Sequence, residues 1–137
     1  MPFTGNATCN VFKYGLINGQ FTFDGTQAYK IALYNNSATL GATTTAYTTN
    51  GEISGTGYAA GGELLTPTEG IANGVAYVSF ANVTWSGAFT VRGALIYQVS
   101  GGAAVCVLDF GGDKVSQNTF TVQFPIAGAT TGLIRLS

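Results

Sequence analysis

The 137-residue sequence contains no histidine. Its cations are Lys13, Lys30, Lys114, Arg92 and Arg135, and six acids leave the net charge at −1. Only 8% of the residues are charged, against roughly 25% in an average soluble domain. Each shortage excludes something. Without histidine, a serine or cysteine nucleophile lacks its usual base, and a four-ligand zinc site has too few donors. Five scattered cations make no basic field for counterion release, so nucleic acid is not an expected partner. No stretch approaches the ~18 consecutive apolar residues of a membrane span. The N-terminal run MPFTGNATCNVFKYG has neither the basic nor the apolar region of a secretion signal. No membrane partner or cofactor is expected, and the composition argues against an enzyme. Cys9 and Cys106 form no CxxC pair, and two separate buried thiols are expected rather than a disulfide.

In place of charge stand Gly, Thr, Ala, Asn and Ser with seventeen aromatic residues, the vocabulary of strands and tight turns. The length suits one domain spanning 1–137 with a core of its own. Near-zero charge also removes self-repulsion and favours association.

Residues 9–18 suit a short helix, with Asn10 as its cap, Asn18-Gly19 as its end, and Val11, Phe12, Leu16 and Ile17 on one face. Thereafter the period is two. In QAYKIALYN, Tyr29, Ile31 and Leu33 alternate with Lys30, Ala32 and Tyr34, which suits a strand with one buried face. Residues 37–62 hold six Gly and few large apolar residues, and read as a long surface excursion. Glu63–Thr66 suits a strand, with Pro67 ending it or marking a sheet edge. Asn73-Gly74 signals a hairpin into Val75–Phe80. Residues 88–99 form a strand that Arg92-Gly93 should bulge. Ala103–Phe110 runs back, Gly111-Gly112-Asp113-Lys114 turns, Thr119–Phe124 alternates, and Leu133–Leu136 closes the chain. The pattern is that of an all-β protein, an antiparallel β-sandwich, jelly-roll-like or Greek-key, with one short N-terminal helix.

Few residues invite a chemical role. Asp109 and Asp113 flank a Gly-Gly pair and could hold a cation or form a glycosidase-like dyad. The simpler reading is a turn, with Asp109 pairing to Arg92 on a neighbouring strand as a structural ion pair. Glu52, Glu63 and Glu69 read as solvated charges. Tyr47 and Tyr58, inside the Gly/Thr-rich excursion, are candidate exposed interface residues. Trp85, in NVTWSG, is a core aromatic or a third interface residue, and it keeps open a receptor- or glycan-binding module such as part of a tail fibre.

Four segments in order, AYKIALYNNSATLGATTTAYTTNGEISGTGYAAGG, VRGALIYQ, AVCVLDFGGDKVSQNTFTVQFP and GLIRLS, resemble the capsid cement (decoration) proteins of tailed bacteriophages. The resemblance covers nearly the whole chain from about residue 10. It implies a jelly-roll-like sandwich, made in the bacterial host cytoplasm and seated on the outer face of an icosahedral head. The implied partner is the major capsid protein of the assembled head, bound across neighbouring capsomers by a dimer or trimer of the chain.

Overall fold

In the computed structural model, residues 5–136 are described. Strand Ala7–Thr8 (β1) leads into helix Asn10–Ile17 (α1). There follow Tyr29–Tyr34 (β2), Glu63–Leu64 (β3), Pro67–Ala72 (β4), Val75–Phe80 (β5), Val83–Ser86 (β6) and Phe89–Gln98 (β7). Ala104–Ser116 (β8), Thr119–Val122 (β9) and Ile134–Leu136 (β10) complete the chain. The strands pair antiparallel in three sets: β1-β8-β7-β2-β3, β10-β5-β4 and β6-β9. The result is the expected all-β antiparallel sandwich with one short helix.

The core is an aromatic one. Phe23 stacks on Tyr29 at 4.6 Å between ring centroids and meets Phe12 and Phe80 edge-on. A second group joins Trp85, Phe89, Phe110, Phe120 and Tyr58. Each such ring removes roughly 150–250 Å² from water, which makes these contacts the main stabilising term.

Several local expectations are corrected. The N-cap of α1 is Cys9, in extended conformation and without a side-chain cap bond, rather than Asn10. The helix does end at Asn18-Gly19: Gly19 has φ +82°, and the Gln20 N–H donates back to the Gly15 carbonyl. Its inward face is Phe12 and Gly15, while Ile17 is 88% exposed. Gly15 is a packing residue, because a Cβ there would lie 2.3 Å from the Phe21 ring.

β2 is buried on both faces rather than one, since Ala32 and Tyr34 are as buried as Ile31 and Leu33. The reason is residues 37–62, which lie over the sheet instead of standing away from it. Their Ala38, Leu40, Ile53 and Tyr58 are buried, and the Tyr34 hydroxyl donates to the Thr48 carbonyl. Glu63–Thr66 contributes only the two-residue β3, and Pro67 opens the edge strand β4, where its missing N–H costs no ladder bond.

Gly111-Gly112 does not turn the chain. β8 continues through it to Ser116 on the same partner, β7. Gly93 faces Asp109 and Val91 faces Lys114, so Phe110–Asp113 swell out opposite Arg92 alone. Gly111, at φ +82°, supplies the backbone freedom for this enlarged bulge. The Asn73-Gly74 hairpin has φ +53° and +77° at its two turn residues, as a type I′ turn requires.

Candidate interaction surface

Trp85, Tyr58 and Tyr47 do not stand out from the surface. Along β6, Val83 and Trp85 point inward while Thr84 and Ser86 face solvent. Trp85 is 2% exposed and packs against Tyr58 and Phe120. The expectation of an exposed Tyr58 is likewise corrected. Gly57, at φ +88°, lays its backbone against the Ser86 carbonyl, where a Cβ would come within 1.9 Å. That close approach drives Tyr58 inward, where its hydroxyl accepts the Leu33 N–H at 3.0 Å. Tyr47 is half-buried and stacked on Tyr97 at 4.7 Å. The Trp85 indole N–H is buried with no hydrogen-bond partner. Trp85→Phe therefore sacrifices volume and no polar contact, and should cost only about 1–2 kcal/mol in urea unfolding.

Glu52, which the sequence reading takes for a solvated charge, is the hub of residues 37–62. Its two carboxylate oxygens accept the Tyr47 and Tyr58 hydroxyls, each at 2.5 Å, and the Gly61 N–H at 2.7 Å. The Tyr97 hydroxyl donates to the Gly61 carbonyl at 2.6 Å. Four tyrosines and one carboxylate thus fasten a 26-residue segment that has almost no regular structure of its own.

Burial pushes up the pKa of Tyr34, Tyr47, Tyr58 and Tyr97, with the negative Glu52 adding to each. Burial also takes Tyr29 to about 12, Cys9 to about 11 and Cys106 to about 12. All these folded-state values lie above their unfolded ones. The unfolded chain therefore loses its protons first as pH rises, and the stabilisation present below pH 9 drains away above it. The melting temperature should hold to pH 9 and fall steeply from pH 10 to 12. Tyr34→Phe and Tyr58→Phe should each flatten that fall in a thermal scan against pH.

Arg92 Nη2 lies 3.1 Å from Asp109 Oδ1, with the two side chains 6% and 10% exposed. The same Asp109 oxygen accepts the Gly111 N–H at 2.9 Å, and the Asp109 N–H donates to Asn6 Oδ1. One carboxylate therefore neutralises the buried cation and fastens the β8 bulge. Asp113 lies on the exposed far side of the Gly-Gly pair. Among the described residues no group of three or more His, Cys, Asp or Glu is placed to hold a metal ion. Cys9 and Cys106 are both buried and free. Thr8 pairs with Cys106 and the Cys9 N–H donates to the Val105 carbonyl, which puts the two thiols one residue out of phase across the ladder.

Several large apolar side chains do face solvent. Tyr14 and Ile17 stand one turn apart on α1, and Ile71 and Leu136 lie in one cross-strand row through Ala76. Leu64, Val115 and Ile126 are each more than 60% exposed. No protein-family model, curated protein or solved structure matches the chain.

Proposed function

We propose that this chain is a structural virion protein that binds the outer face of an assembled icosahedral phage head and reinforces contacts between capsomers. The observation that carries the reading is a nearly uncharged sandwich presenting large apolar side chains at separate places, on a helix, a hairpin and strand edges. Scattered apolar anchors of this kind suit many shallow contacts repeated over a lattice. The four-segment resemblance to phage cement proteins supports the same role. Glu52 and Asp109 are committed to holding the fold, which leaves them little freedom for chemistry. The glycan-binding alternative rested on Trp85 and exposed tyrosines, and loses that support with Trp85 and Tyr58 turned inward.

Purified chain should cosediment with heads that lack it and saturate at a copy number set by the icosahedral lattice. It should bind loose major capsid protein weakly, because only the assembled shell offers several subunits at once. Decorated heads should survive heating that empties bare ones. Absence of binding to heads, or equal heat resistance with and without the chain, would overturn the reading.

A further inference from the structure

Two sheet edges flank one open groove. β1 is the edge of one sheet and β10 the edge of another. A cavity of about 670 Å³ lies between Thr8 and α1 on one side and residues 133–136 on the other. A smaller one of about 150 Å³ continues it between residues 6–8 and residues 133 and 134. Ladder alternation fixes which backbone groups point into the gap. The Cys9 N–H donates to the Val105 carbonyl at 3.0 Å, so Ala7 and Val107 form the next hydrogen-bonded pair, and Thr8 turns its N–H and C=O away from β8. In the other sheet the Ala81 N–H donates to the Thr66 carbonyl, so β5 bonds β4 through Val75, Tyr77 and Ser79. It therefore bonds β10 through Ala76 and Val78, to Leu136 and Ile134, and Arg135 turns its N–H and C=O away from β5. Thr8 and Arg135 both line the larger cavity. Among the described residues, the outward backbone groups of neither have a hydrogen-bond partner. The gap between the edges is thus bordered by unpaired strand backbone on both sides.

We infer that this gap takes an extended segment of a partner protein, added as one strand between β1 and β10, with apolar side chains alternating with acidic ones. The strand's own N–H and C=O groups pair with Thr8 on one side and Arg135 on the other, which joins the two sheets. Main-chain bonds supply the affinity and alternate side chains the selectivity. Ile134 lies on the face of buried Val78, while Arg135, beside Tyr77, is on the opposite, exposed face. The added strand therefore turns one set of side chains toward Phe12, Leu16 and Ile134 and the other toward Arg135. Lys13 and Arg135 line the groove, no acid lines either cavity, and neither cation is ion-paired among the described residues. Arg135 gives one guanidinium N–H to the Thr130 carbonyl at 2.9 Å and has others left to donate. A second copy offers no such segment, because no two of the chain's six acids stand two residues apart. The gap belongs to the isolated chain, so its occupancy is readable without phage heads.

The test is an NMR titration of the full chain with the peptide acetyl-TVEVEVT-amide, with hydrogen exchange read at the Thr8 and Arg135 amides. The peptide should bind saturably at one per chain and slow exchange at both amides by about tenfold or more. The same peptide N-methylated at its valines keeps every side chain, cannot pair along one edge, and should not bind. Acetyl-TVKVKVT-amide should bind about tenfold more weakly than the glutamate peptide. K13E/R135E should reverse that preference, which a loss of folding would not do. If K13E/R135E fails to fold, the N-methylated peptide decides alone. Absence of saturation, binding of the N-methylated peptide, unchanged exchange at Thr8 and Arg135, or a charge preference indifferent to K13E/R135E overturns the inference. Protection of both amides without peptide overturns it too. Where that protection depends on concentration a second copy is the occupant, and where it does not the occupant is a segment of the chain itself.

Discussion

Glu52→Ala should destabilise the protein by about 3 kcal/mol and free the segment it fastens. The estimate follows from what the substitution leaves behind. Two tyrosine hydroxyls and the Gly61 N–H lose a charged acceptor at once, and hydrogen bonds to charged groups are worth roughly 1.5–3 kcal/mol each before relaxation. Water reaches Glu52, which is only half-buried, so part of the loss is recovered. Glu52→Gln keeps one oxygen as acceptor and should fall between the two. Urea unfolding gives the magnitude. Hydrogen exchange gives the location: protection should drop across residues 45–61 while β7 and β8 keep theirs. A loss below 1 kcal/mol with unchanged exchange would show that packing alone holds the segment.

The same segment shows where reading the sequence stops short. Strands β2, β5, β7 and β8, the Asn73-Gly74 hairpin and the Arg92 bulge are legible because each is written in neighbouring residues, as alternation, a turn dipeptide or a break in phase. Glu52 is not. Its donors Tyr47 and Tyr58 are near in sequence, but what brings them together is distant: the Ile53 N–H donates to the Leu33 carbonyl, and Tyr58 reaches the Leu33 N–H. Gly111-Gly112 misleads for a related reason. A positive φ at Gly111 serves a turn and a bulge equally, and only pairing of Val115 with Thr90 and Ser116 with Phe89 separates the two. Trp85 was readable. The alternation V-T-W-S puts it in phase with Val83, on the inner face. The groove between α1 and β10 leaves no mark in sequence, because the two elements lie at opposite ends of the chain.

Asp109→Leu should cost about 3–5 kcal/mol, the largest loss expected of any single substitution considered. Arg92 would remain buried with the carboxylate 3.1 Å away gone, and removing one partner of a buried ion pair is strongly destabilising. The Gly111 N–H would lose its acceptor as well. The ion pair itself need not be a large net stabiliser, because bringing both charges out of water offsets most of their attraction. The double variant R92M/D109L should therefore recover most of the loss and lie within about 1–2 kcal/mol of the parent. Its remaining deficit would measure what the carboxylate does for the β8 bulge. A double variant as unstable as Asp109→Leu alone would place the cost in the bulge and in Arg92's other contacts rather than in the broken ion pair. On that outcome the bulge itself, Arg92-Gly93 set against Asp109 and the Gly111-Gly112 pair, would be a device for setting strand register. Denaturant curves on the parent, both singles and the double decide between the two accounts.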